Sequence, residues 1–281
     1  MIKIDKVQID YTQDIKLISS PYNTFNETLN GGFKKGTATM IAGISGSSIS
    51  TFIANLMAHF VQDDYIKILS FCANDSPFKR KVRLAASIAR INISNYKSVE
   101  MRKALQEVEN FDIEFDDSFV NCTNIIQTAS NYSDYLGYVV VIIEDIFSLV
   151  RMNEKNDFDL AQSVVDLVNA LKRHNFIVIC TNRLTAEIEK QERIFNVAGH
   201  KPIRNDVYQG NILFTAFNNV YSFHQPRLLN IEYYSREKRD TENLIHISKL
   251  KSSDSKRGEI WLTSVFKSGH YEEIDNNTIN I

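Results

Sequence analysis

The chain has 281 residues, with 32 basic and 34 acidic side chains, a net charge of −2 and 43% hydrophobic residues. That length suits one large α/β domain with short extensions, and the near-neutral charge confines any polyanion-binding surface to a local patch. Cys72, Cys122 and Cys180 give neither a disulfide framework nor a metal spacing, and no signal-type or membrane-length apolar run is present; the expectation is a soluble cytoplasmic protein without a metal site or membrane contact.

Residues 1–20 read as an extended arm or linker, 21–275 as the domain and 276–281 as a tail. Between Phe25 and Gly36 the paired glycines Gly31 and Gly32, with Gly36, mark tight turns. The apolar run Thr37–Ala42 then reads as a buried strand. Ser50–Gln62 places Phe52, Ile53, Leu56, Met57 and Phe60 at helical spacing, so a strand, a turn and a helix follow in order. Ile66–Phe71 predicts a second strand, Phe78–Arg90 a basic helix and Ser98–Val108 another helix. Tyr138–Ile143 is an unbroken apolar run ending in Glu144 and Asp145, as in a strand covered on both faces. A helix over Phe158–His174 and a strand over Phe176–Cys180 come next. Arg183–Asn211 reads as a mobile loop with a helical piece. Alternation over Asn219–Phe223, Leu228–Tyr234, Leu244–Leu250 and Glu259–Phe266 predicts antiparallel strands closing the sheet.

The turn after the first strand, IAGISGSSISTF from Ile41 to Phe52, has the frame of a phosphate loop, G-x-x-x-x-G-K-[ST]. In that motif backbone N–H groups cradle phosphates, the lysine reaches the β/γ-phosphates and the hydroxyl holds Mg²⁺. Gly43 opens it and Gly46 lies within it. Ser48 stands for the second glycine, Ile49 for the lysine, and Ser50 or Thr51 for the hydroxyl. Isoleucine offers no donor, and a charge-assisted contact is about twice as strong as a neutral one. The loop is therefore expected not to support ATP hydrolysis, and ATP and Mg²⁺ are not expected cofactors. Lys34, Lys35 and Lys249 are the lysines from which a replacement charge would come. An acid at the end of a buried strand suits Mg²⁺ held through water, which makes Asp145 and Glu144 candidates; capping the following segment is the bland alternative.

In order and spacing these blocks resemble the C-terminal RecA-like motor domain of DnaB-type replicative helicases, including T4-like phage members. The resemblance runs over residues 15–275. It is carried by the Phe25–Gly36 lead-in, IAGISGSSISTF, ILSFCAND, VVVIIEDIFSLV, IVICTNRL and IHISKLKSSDSKRGEIWL. It implies a P-loop NTPase fold with a mostly parallel central sheet, flanking helices and a C-terminal antiparallel extension. It also implies that the family's catalytic glutamate falls on Cys72, with Asp75 as a displaced acid or a turn cap. The sensor glutamine falls on Asn182 and the trans-acting basic pair on Lys249 and Lys251, where lysine cannot form the bidentate fork of arginine. The expected protein is thus a catalytically inactive relative with no catalytic residues. It would act by binding in DNA replication as an accessory or regulator of a replicative helicase, or through a homo-oligomer. Its Asn-, Ile- and Lys-rich composition fits a phage gene product working in the host cytoplasm. The alternatives are an ATP-dependent helicase or translocase with a noncanonical loop, and a DNA-binding protein without ATPase activity.

Two basic groups bear on DNA. Lys79, Arg80, Lys81 and Arg83 read as a solvated helix face or as phosphate contacts. Arg236, Lys238 and Arg239, with Lys249 and Lys251, are candidates for single-stranded DNA or an acidic partner surface. His174, His200, His224 and His246 show no ligand spacing, and the strand aromatics Tyr233, Tyr234 and Trp261 read as core rather than as base-stacking platforms.

Overall fold

The computed structural model of the chain describes residues 17–116, 121–150, 157–195, 200–234, 239–252, 258–265 and 269–274. Six strands run parallel: β1 (Ala38–Gly43), β2 (Ile66–Cys72), β3 (Ile113–Asp116), β4 (Tyr138–Glu144), β5 (Ile177–Arg183) and β6 (Asn219–His224). A two-stranded ribbon, β7 (Tyr233–Tyr234) and β8 (Arg239–Asp240), stands apart. Three antiparallel strands, β9 (Leu244–Lys251), β10 (Glu259–Val265) and β11 (His270–Glu273), extend the sheet beyond β6. The strand order is β11-β10-β9-β6-β1-β5-β4-β2-β3.

Alternation along the central strands divides the core between the two faces. Val139, Val141 and Ile143 of β4 pack with α5 (Cys122–Ser130) and α7 (Asp157–Arg173), whereas Val140 and Ile142 face α2 (Ile49–Phe60), α3 (Pro77–Ala89) and α4 (Val99–Val108). The helix α1 (Asn23–Thr28) joins the second face through Phe25, whose ring lies 5.8 Å from that of Phe52. Strands covered on both sides are mainly apolar, which is why β1, β4 and β5 read as hydrophobic runs, with polar residues gathered at the C-terminal ends of β4 and β5.

Several expectations need correction. Asn219–Phe223 is not antiparallel: β6 runs parallel to β1, and the reversal begins at β9. No strand covers Leu228–Tyr234, because Pro226 opens a 3-10 turn and Asn230 is left-handed, leaving Tyr233–Tyr234 to the ribbon. In Arg183–Asn211, expected as a mobile loop with a helical piece, the described residues hold several short helical turns rather than one, stitched together by an Arg193–Asp206 ion pair and a Thr185 N–H to Asp206 carbonyl bond of 2.7 Å. The end of the expected linker is packed: Ile18 bridges Phe33 and is buried. Among the described residues no helix is long and apolar enough to cross a membrane. Residues 1–16 and the expected tail 276–281 lie outside the described residues.

Candidate functional site

At the C-terminal end of the parallel strands a cleft of about 720 Å³ opens between the β1–α2 loop and the ends of β2, β4 and β5. Its lining brings together all the residues predicted for a phosphate site: Gly43, Gly46, Ser48, Ile49, Ser50, Thr51 and Asp145. Gly43 is required by close approach, since a Cβ there would lie 2.6 Å from Ile49 Cδ1 and 2.9 Å from the Phe223 carbonyl oxygen. Gly46 is required by its φ of +81°. Ser48 also adopts the left-handed region, at φ 61°, so serine fills a position whose backbone favours glycine.

Ile49 is half-buried, folds back against Gly43 and joins the core face beneath the loop. It therefore replaces the stem of a phosphate-loop lysine without its ammonium. No lysine lines the cleft among the described residues; the cations there are Arg83 and Arg183. Arg83 is ion-paired with Asp75, and Arg183 sits 3.9 Å over the Tyr208 ring. Lys34 and Lys35 precede β1, at the far end of the strand from the loop, where Lys35 donates to the Gly137 carbonyl at 2.7 Å. Lys249 donates to the Thr28 carbonyl.

The two strand-end acids differ. Glu144 shares the strand parity of Val140 and Ile142, so its side chain falls on the α2 side, where Ser50 hydrogen-bonds the carboxyl. It is 6% exposed, and burial pushes its pKa above the usual carboxylate range, against the lowering influence of Ser50 and then Arg83. Asp145 leaves the strand at φ 49°. Its N–H donates to Thr181 Oγ1 at 2.8 Å, and its carboxylate accepts from Asn74 Nδ2 at 2.6 Å and from Ser148 Oγ. Asp145 thus ties down the start of α6 (Ile146–Val150), while Glu144 is the acid that meets the loop's hydroxyl. This is the geometry that would hold Mg²⁺ through water, and period-2 alternation is the signal that separates the two acids.

Cys72 stands opposite Glu144 in the β2–β4 register, and burial followed by the Glu144 charge raises its thiol pKa. A thiol held protonated cannot serve as a general base. Asp75 does not cap the turn before Pro77; Ser76 does, accepting from the Lys79 N–H, and Asp75 pairs with Arg83 and Lys79. Asn182 points inward, donating to the Tyr208 carbonyl at 3.0 Å and to Met40 Sδ at 3.7 Å.

The basic helix is not uniformly solvated. Arg80 is buried and donates to the Ser70 and Asp116 carbonyls at 2.7 and 2.9 Å, Lys81 pairs with Glu109, and only Lys79 extends mainly into solvent. Lys249 and Lys251 are sent to opposite faces by an irregularity in the β6–β9 register between Val220 and Tyr221. Lys249 reaches the end of α1, and Lys251 donates to the Phe214 and Phe217 carbonyls after α9 (Gly210–Leu213). Both satisfy helix-terminal carbonyls within the chain. Arg236 and Lys238 lie outside the described residues, and Arg239 stands in β8.

Three histidines that sequence spacing kept apart meet near the same sheet end. His200 Nδ1 lies 3.3 Å from His224 Nε2, and His224 pairs with His246 across β6–β9. His246 stacks 4.0 Å from Trp261 and faces Glu259. Burial, reinforced in His200 and His224 by neighbouring positive groups, holds all three below the usual imidazole range, His200 at about 4. No group of three or more His, Cys, Asp or Glu side chains among the described residues has metal-binding geometry.

No protein-family model and no curated protein matches the chain. Solved structures do. One is a DnaB-like replicative helicase, from a structure that also concerns its interactions with primase, with a TM-score of 0.76 and 15% identity over 93% of this chain. The chain spans 62% of that helicase's length. A second is a structure of an ATPase domain, with a TM-score of 0.75 and 14% identity over 94% of each chain. The sheet order, the β1–α2 loop and these two likenesses together give the chain the RecA-like fold of DnaB-type helicase ATPase domains.

Proposed function

We propose that the chain is a RecA-fold protein of DnaB-helicase type that does not hydrolyse ATP and acts by binding within DNA replication. In this reading it serves as an accessory or regulator of a replicative helicase, through that helicase, another replication protein or further copies of itself, and it is phage-encoded and works in the host cytoplasm. The observation that carries inactivity is Ile49 folded onto Gly43, with no lysine lining the cleft among the described residues. A phosphoryl transition state is stabilised almost entirely by positioned charge. The cations that do line the cleft are engaged by Asp75 and Tyr208, and Cys72 gives no base.

One observation favours a second reading, an ATP-dependent motor with an unusual loop: the Ser50–Glu144 pair is intact beside Arg83. A DNA-binding protein without ATPase activity is a third reading. It rests on Arg236, Lys238 and Arg239, since Lys249 and Lys251 are used within the chain. Titration with a fluorescent ATP analogue and Mg²⁺, with phosphate release followed with and without single-stranded DNA, separates these readings. The first predicts no turnover in either condition. Turnover stimulated by DNA and abolished by Glu144→Gln would establish the second. Salt-sensitive DNA binding without turnover, lost on neutralising Arg236, Lys238 and Arg239, would establish the third.

A further inference from the structure

The phosphate loop has lost two features that usually shape it, yet it keeps its cradle form. Ser48 holds a left-handed backbone without the freedom of glycine, and its side chain makes no capping bond at the start of α2. Something else must hold this turn, and the contacts come from the last strand of the sheet. The buried Tyr271 of β11 donates its hydroxyl to the Ser48 carbonyl at 3.1 Å. That carbonyl also accepts the Thr51 and Phe52 N–H groups at 3.0 and 3.2 Å, so all three donors meet at the hinge between loop and helix. The Tyr271 ring lies 6.4 Å from Phe52 and 6.2 Å from Phe223, wedged between the helix that follows the loop and the strand beside β1.

Asn55, one turn further along α2, locks the same strand from below. Its Nδ2 donates to the Thr51 and Gly269 carbonyls at 2.9 and 3.0 Å, and its Oδ1 accepts the Tyr271 N–H at 3.0 Å and the Tyr22 hydroxyl at 3.2 Å. At the other end of β11, the two carboxylate oxygens of Glu273 accept the Asn23 and Thr24 N–H groups at 2.8 and 2.7 Å, fastening the strand to the start of α1. A continuous set of hydrogen bonds thus runs from α1 across α2 to the loop, through Glu273, Tyr271, Gly269 and Asn55.

We infer that β11 is a strap that sets the shape of the phosphate loop, with Tyr271 and Asn55 as its positioning residues. The loop is preorganised by the docked β10–β11 pair, so its geometry is coupled to how firmly that pair is held. This holds whether or not the cleft takes a nucleotide.

Amide hydrogen exchange of the intact chain tests it. Tyr271→Phe removes one hydroxyl and keeps the ring. Exchange over residues 44–52 is expected to speed up about tenfold, while strands β4 and β5 change by less than about twofold. Glu273→Ala, at a partly exposed position, tests the other end of the strap without touching the core. It should speed exchange at Asn23 and Thr24 and, by about two- to threefold, over residues 44–52. Unchanged loop exchange in the folded variants would overturn the inference. So would an increase shared equally by β4 and β5, because Tyr271 would then serve only global stability.

Discussion

The two ends of the central sheet use their polar groups in opposite ways. At the N-terminal end of the parallel strands cations are plentiful and committed: Lys35 bonds the Gly137 carbonyl, Lys172 the Ala216 carbonyl and Lys251 the Phe214 and Phe217 carbonyls. At the C-terminal end, where open α/β sheets carry their ligand cleft, the lining is hydroxyls, amides and acids. The histidines beside β6 are held neutral, and Arg83 and Arg183 are the cations of the cleft. Among the described residues, positive charge fastens turns and helix ends, and little of it is directed at the space where phosphates would sit. The fold has kept its architecture at both ends, and its electrostatics serve the architecture.

Acid should have the largest effect, because it would place charge where the structure excludes it. A histidine depressed in the folded state contributes stability that is full above its unfolded pKa of about 6.5 and is lost as pH falls toward the folded value. For His200, held at about 4, unfolding free energy should fall by on the order of 3 kcal/mol between about pH 6.5 and pH 4. His200→Gln should flatten that part of a urea-denaturation pH profile. Loss of a committed cation at the other end comes next. Lys251→Met leaves two carbonyls without their donor and should cost about 2 kcal/mol in urea denaturation. A fall in DNA affinity at unchanged stability would instead return Lys251 to an intermolecular role.

Glu144→Gln, on the acidic side of the cleft, should have the smallest effect. A buried carboxyl whose pKa is raised contributes stability that is full below its unfolded pKa and is lost as pH rises through the folded value. The amide should therefore raise the melting temperature by roughly 2 °C at about pH 7, and the gain should vanish below about pH 4. A scan at the two pH values decides it.

Much of the sheet is legible in the sequence because β1, β4 and β5 are buried on both faces and are mainly apolar, and because α2 repeats its apolar residues at helical spacing. The edge strand β3, Ile-Glu-Phe-Asp, carries no such pattern, since it is only half-buried and is paired on one side; α5 does place Cys122, Ile125, Ile126 and Ala129 at helical spacing, a signal that the sequence reading passed over. The direction of β6 is likewise invisible: alternation reports faces, not orientation. The loop residues Gly43 to Thr51 can be read from the motif, and Glu144 as the acid facing them from strand parity. The strap residues Tyr271 and Asn55, and the histidines 200, 224 and 246, come from distant segments whose meeting depends on the full strand order. No local signal marks them.

Inactivity rests on the missing charge at position 49, and calorimetric titration of Mg·ATP into the wild type and into Ile49→Lys measures what that charge is worth. The wild type should show no measurable binding and the variant a gain of at least about tenfold in affinity, because Gly43, Gly46, Ser50 and Glu144 are already in place. Tight binding to the wild type, unchanged by the lysine, would contradict this role of position 49.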